Sequence, residues 1–171
     1  NADVVIGPRP NDYHPDHRNT GLLVRDAAYM VTVPNIVPNT PHLRKNPVFM
    51  YSPDNFTVPN PFVPDIVVGI DDVIAKKVDM YHCHTSQMYE WLPYNQGVLD
   101  QVPEGEAERK AWLYTRGIGR YFIKGVYRDK LEELYGKERA AGIEYLEALQ
   151  VSEYGRRPSQ EELKQLFPFF D

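Results

Sequence analysis

Continuous apolar runs alternate with stretches of helical period along this chain. Val4-Val5-Ile6-Gly7 is an unbroken β-branched run closed by a Gly-Pro turn, the pattern of a strand buried on both faces in the middle of a parallel sheet. A polar loop follows over Arg9 to Asp12. From Asp16 the pattern turns helical, with Leu22, Leu23, Ala27, Tyr29, Met30 and Val31 on the apolar side. Residues 33–64 are proline-dense, so only Val48-Phe49-Met50-Tyr51 is predicted as strand there and the rest as ordered loop. Asp65 to Ile70 reads as a second buried strand, with Asp71 or Asp72 capping a helix that runs from Lys76 to Trp91 and stops at Pro93. Glu104 to Leu134 is helical but weakened by Gly117, Gly119 and Gly125, which predicts two helices or one bent one. Ile143 to Tyr154 is a further element of open type. Ser159 to Leu166 is a helix whose Ser159 and Glu162 have capping-box spacing.

Strands alternating with helices predict an α/β fold with a mostly parallel sheet, and ligands in such sheets bind beyond the carboxyl ends of the strands. The loop from Gly7 to His17 is expected at that edge. A length of 171 residues suits one domain. The net charge is -5 and the Lys and Arg are scattered rather than striped, which argues against a nucleic-acid partner. No apolar run approaches the ~20 residues of a membrane span. Cys83 is the single cysteine, so an intrachain disulfide and the Cys-rich zinc modules are excluded. The compartment stays open, with a slight lean to the cytoplasm. Opening on Asn1-Ala2-Asp3 and then directly on a buried strand, the chain is expected to have lost an N-terminal segment, or to have it on another chain or upstream of residues 1–171.

The densest chemistry lies in Asp12-Tyr13-His14-Pro15-Asp16-His17, where two imidazoles, two carboxylates and a phenol occupy six positions between strand and helix. A catalytic zinc needs about three N or O ligands and an open position for water, whose pKa it lowers to about 7. One of these histidines can serve as a ligand and the other face a reacting carbonyl. The competing reading is a turn that caps the helix through Asp16, with both histidines facing solvent.

The segment Arg9 to Thr20, RPNDYHPDHRNT, resembles the second signature of the LmbE-like, or PIG-L, family of zinc-dependent N-acetylglucosaminyl deacetylases. Lys77 followed by His84-Thr85-Ser86-Gln87 resembles that family's later helix, in which a lysine precedes an H-x-S-Q motif by seven residues. Tyr145-Leu146-Glu147-Ala148-Leu149 is similar to its closing Y-x-E-A-F. Gly69 departs from the pattern, standing where an aspartate is common. The resemblance covers about residues 1–92 and 143–154, leaving 93–142 as an expected helical insertion. It implies a Rossmann-like fold, a Zn2+ cofactor and removal of an N-acetyl group from an amino sugar or sugar conjugate. Under it His17 is the zinc ligand, His14 stabilises the tetrahedral oxyanion, and Asp16 orients and charges His14. Tyr13 and Arg9 are its candidate substrate contacts, and Asp12 and His84 the residues behind the metal site.

The family's first signature, A-H-P-D-D-E, occurs nowhere in the sequence. Two zinc ligands and the general base are therefore expected from an upstream segment, and this chain alone should be catalytically silent. The alternative is a non-catalytic carbohydrate-binding or assembly homologue, and a homo-oligomer is compatible with either. For His84 a core histidine bonded within its helix competes with metal support. His82 should point to another helix face, so His82-Cys83-His84 is not expected to chelate. Cys83 is expected as a buried small hydrophobe, His42 as a loop residue, Arg116 and Arg120 as a solvated helix face, and the aromatics from Trp112 to Tyr127 chiefly as core.

Overall fold

The structure is a computed structural model that describes residues 2–116 and 126–170. In chain order its regular elements are β1 (Val4–Gly7), α1 (Pro15–Met30), β2 (Val48–Tyr51), β3 (Ile66–Gly69), α2 (Ile74–His82), α3 (Leu92–Asn95), α4 (Glu106–Thr115), α5 (Val126–Tyr135), α6 (Lys137–Ala141), β4 (Leu146–Gly155) and α7 (Gln160–Leu166). No helix among the described residues is long and apolar enough to cross a membrane. The chain divides into two compact units. One comprises residues 1–68, 124–141 and 148–171; the other comprises 69–123 and 142–147.

The first unit is built on a sheet of strand order β1-β2-β4-β3. β1 and β2 run parallel, Val4 opposite Val48 and Gly7 opposite Tyr51, whereas β2 and β4 are antiparallel. The α/β class is as expected, but the sheet is mixed rather than mostly parallel. The reason lies in residues 146–155, whose type the pattern left open. Leu146, Ala148 and Ser152 are buried at even spacing with less buried residues between them, so the segment fits a pleated strand. It lies between β2 and β3 and runs against β2.

β1 also departs from expectation. It stands at the edge of the described sheet, and Ile6 is 52% exposed. The core beneath the sheet gathers Val48, Met50, Ile66 and Leu163, with Val4, Leu149, Val151 and Leu166 packed around them. Truncating Met50, Ile66 or Leu163 to alanine costs about 2–5 kcal/mol. α1 comes close enough to the turn that follows β1 that a Cβ on Gly21 would sit 2.7 Å from the Pro8 carbonyl oxygen, so only glycine fits there.

In the second unit, α2 and α4 pack through Val78, Tyr89 and Leu113, with Tyr81, Met88, Trp112 and Tyr114 around them. Trp112 and Tyr114 thus pack as core, as expected; Tyr121, Phe122, Arg120 and the three glycines 117, 119 and 125 lie outside the described residues. Pro93 does not stop the helix. It falls in the first turn of α3, where its missing N–H is not needed, and follows a π-helical segment over Ser86–Trp91. Neither Asp71 nor Asp72 caps α2. Both fall in a 3-10 turn, and Asp71 Oδ1 instead accepts from the Glu144 amide at 2.9 Å. The capping of α7 is as expected: Ser159 Oγ accepts from the Glu162 amide at 3.1 Å.

Candidate functional site

Because β1 and β2 are parallel, the loops that leave them, residues 8–14 and 52–65, emerge at the same edge of the sheet. Ser52 N donates to Gly7 O at 2.9 Å, tying the two exits together. Arg9 completes the union. Only 8% exposed, it donates from Nε to Asp54 Oδ2 at 2.6 Å and from its terminal nitrogens to Asp54 Oδ1 and to the carbonyls of Asn60 (2.8 Å) and Phe56 (2.9 Å). The guanidinium also lies 5.9 Å over the Phe62 ring. Four of the five Arg9 N–H donors are thus used inside the protein, where a two-pronged ion pair fixes one loop against the other, which leaves little of the guanidinium for the substrate contact expected of it.

On that platform the His-Pro-Asp-His stretch turns into α1. Asp12, whose side chain is 12% exposed, accepts the His14 amide at 2.9 Å and lies 3.0 Å from His17 Nδ1, both through Oδ1. Arg18 reaches back to the Asp12 carbonyl (3.1 Å) and the Tyr13 carbonyl (2.6 Å). The N-cap of α1 is His14, with Pro15 in the first turn, and His14 Nδ1 accepts from the Asp16 amide at 3.2 Å. Histidine is not among the favoured capping residues, so nothing in the sequence marked this.

These bonds give the two imidazoles opposite tautomers. His17 must carry its proton on Nδ1 to meet the Asp12 carboxylate, which leaves a lone pair on Nε2. His14 must keep its lone pair on Nδ1 to cap the helix, which leaves Nε2 as a donor. The rings are 4.9 Å apart, and Tyr13 meets both edge-on at 5.9 Å. Tyr13 is 72% exposed and also approaches Phe56, at 6.2 Å. The Asp16 carboxylate is not what orients His14: its side chain is 86% exposed and 3.9 Å from the ring, and the contact is made by the backbone amide.

His84 belongs to the second unit, where it is exposed beside a cavity of about 510 Å³ whose other walls include Ile70, Val73, Lys77, Tyr81 and Glu147. Lys77 forms an ion pair with Glu147 there. His84 is therefore not a core histidine bonded within its helix. Its neighbour Cys83 is exposed rather than buried, its thiol directed to the Asp79 carbonyl at 3.3 Å. His82 diverges as expected, Nδ1 lying 2.8 Å from the Tyr89 hydroxyl.

A zinc site requires more than one ring. His17 fits the role of a single ligand, since a carboxylate on Nδ1 and a lone pair on Nε2 are what a metal-binding imidazole needs. No group of three His, Cys, Asp or Glu side chains that could hold a metal occurs among the described residues. No family model matches the chain, and no solved structure matches it.

Proposed function

We propose that this chain is the histidine-bearing part of a zinc-dependent N-deacetylase that acts on amino sugars or sugar conjugates. Its first unit would belong to a Rossmann-like domain, and the remaining metal ligands and the general base would come from a segment outside residues 1–171. The observation that carries the reading is the Asp12–His17 pair at 3.0 Å. It is supported by a neighbouring imidazole of opposite tautomer and by the resemblance of residues 9–20 to the second signature of the LmbE-like family.

When bound, zinc would supply a polarised acyl carbonyl and an acidified water. The chain's own residues divide the remaining work. Asp12 holds His17 in the tautomer and orientation that offer Nε2. His14, anchored through Nδ1, offers Nε2–H as a hydrogen-bond donor to the oxygen that gains charge as the acyl carbon becomes tetrahedral. Asp16 positions His14 through its amide. Tyr13 offers an exposed ring face on which a sugar can lie.

The test is zinc content measured beside kcat on an N-acetylamino sugar, in the protein that contains residues 1–171 together with the completing segment. His17→Ala should lose metal and activity together, and Asp12→Asn should weaken zinc binding by about 10- to 100-fold. His14→Ala should keep its zinc and lose roughly 10²- to 10³-fold in kcat, the scale of removing an oxyanion donor. Full zinc occupancy in His17→Ala would refute His17 as a ligand, whereas absence of zinc from the parent protein would favour a metal-free carbohydrate-binding module of the same fold.

A further inference from the structure

The opposite end of the same sheet carries a second cleft, of about 390 Å³, lined by Asp3, His42, Arg44, Lys45, Asn46 and Arg156 among others. It is built where β1 and β2 begin. Val48 N donates to Asp3 O at 2.9 Å, so the residues just before both strands lie together. The third wall arrives at the end of β4. Gly155 has φ +83°, and a Cβ there would meet the Phe49 ring at 2.5 Å, so the position requires glycine. The turn it makes lets Arg156 N donate to Pro47 O and Arg156 Nε to Asn46 O, each at 3.1 Å, while Nη1 pairs with Glu162.

The charge here runs against that of the chain. In a protein of net charge -5, this cleft gathers Arg44, Lys45 and Arg156 against one lining carboxylate, Asp3. Glu162 does not line it, but holds Arg156 and lies 3.9 Å from Lys45. Arg44 makes no ion pair among the described residues. A guanidinium fixed in advance, with two further cations on a short exposed stretch beside it, is an arrangement suited to a doubly charged tetrahedral anion. Asn46 adds a polar floor. Its Nδ2 is committed to the Ala28 carbonyl, and its Oδ1 is buried with no partner among the described residues. The cleft has room for more than a bare phosphate ion and lies within the usual size range for small-molecule sites.

We propose that this cleft binds a small phosphate monoester, with the phosphoryl group on Arg44, Lys45 and Arg156 and a hydroxylated body in the remaining space. The inference is independent of the zinc reading, since its residues lie at the other ends of β1 and β2 from the His-Pro-Asp-His loop. The test is calorimetric titration of the protein with glucose 6-phosphate, glucose, glucuronate and inorganic phosphate, with sedimentation on phosphatidic acid vesicles as a separate arm. Glucose 6-phosphate should bind one to one, glucose should not bind, and glucuronate and inorganic phosphate should each bind about tenfold more weakly. Arg44→Gln and Lys45→Gln, both at exposed positions, should each weaken glucose 6-phosphate by about tenfold and leave thermal unfolding unchanged. Equal binding of glucose, or of glucuronate, overturns the phosphoryl assignment. Inorganic phosphate as tight as the ester overturns the role given to the body. Vesicle binding without soluble binding would make the ligand a lipid headgroup and sink the small-molecule proposal, as would wild-type affinity in both Gln variants.

Discussion

Two short stretches of this chain are rich in histidine, and the protein treats them in opposite ways. His14 and His17, three residues apart at the start of α1, bring their rings within 4.9 Å. Each has its Nδ1 occupied, His17 by Asp12 of the loop and His14 by the Asp16 amide in the first turn of α1. His82 and His84, two residues apart where α2 ends and the chain leaves it, part company: one bonds the hydroxyl of the buried Tyr89 and the other stands exposed beside a cavity. His82 is the last residue of α2 and His84 lies beyond its C-cap, whereas His14 caps α1 and His17 stands in its first turn. Spacing alone would not make a site, however. What sets the first pair apart is the support behind it, a largely buried carboxylate that receives both a backbone amide and a ring nitrogen, on a loop fixed by a buried ion pair.

The sharpest way to break this contrast is to remove that ion pair. Arg9→Ala would leave the Asp54 carboxylate, 12% exposed, without its cation, and the carbonyls of Phe56 and Asn60 without their donor. Stripping one partner from a buried pair costs about 3–5 kcal/mol. Urea unfolding of Arg9→Ala should show a loss of that size, with the companion change Arg9→Leu in an Asp54→Leu background recovering much of it. A loss below about 0.5 kcal/mol, the scale of ordinary surface changes, would mean that Arg9 does not hold the loops and is available to substrate after all.

Much of this arrangement was readable from the sequence, for reasons that differ from element to element. The apolar runs at Val4–Gly7, Val48–Tyr51 and Ile66–Gly69 are local signals strong enough to mark strands. Their order in the sheet is a tertiary outcome, and so the antiparallel β4 and the edge position of β1 were not legible. The six residues from Asp12 to His17 stood out by density of chemistry. Their partners did not, because Arg9 meets a carboxylate 45 positions away and the cap on α1 is a histidine where an aspartate two residues on looked the better candidate. The same confusion of local propensity with tertiary use assigned Asp71 to a helix cap, whereas its carboxylate serves a segment 73 residues distant. The basic cleft left no mark in the sequence, since Arg156 joins Arg44 and Lys45 only through a glycine turn after β4.

A smaller effect sharpens the other half of the contrast. Tyr89 is buried, its ring lies 6.1 Å from Trp112, and its hydroxyl meets His82 Nδ1 at 2.8 Å. Tyr89→Phe preserves the ring and deletes that one bond, which should cost roughly 1 kcal/mol. His84→Ala, two residues beyond His82, should stay within about 0.5 kcal/mol. Paired thermal melts check this directly. A larger loss at His84 than at Tyr89 would show that the exposed ring has a structural task, and the contrast drawn between the two histidines would fail.

The smallest effect is a dependence on pH that reports on the loop platform itself. Tyr127, on α5, stacks on Phe62 at 6.5 Å and sits close enough to the Arg9–Asp54 pair to feel both charges. Its pKa is raised above the ordinary tyrosine value, first by burial, then by the Asp54 carboxylate, with Arg9 acting in the opposite direction. The sign of the consequence follows from proton counts. Near pH 10 the unfolded chain releases the phenol proton while the folded protein keeps it, so folding is favoured less as the pH rises from about 10 towards the raised value. Below that range the shift contributes no change with pH. Tyr127→Phe should therefore lose stability with rising pH less steeply than the parent above about pH 10, and the two profiles should run parallel at pH 6–9. Denaturant midpoints measured from pH 6 to above pH 10 give the answer. Parallel profiles throughout would mean that Tyr127 ionises as freely in the folded protein as in the unfolded chain, and so that burial and Asp54 do not act on it as the loop packing requires.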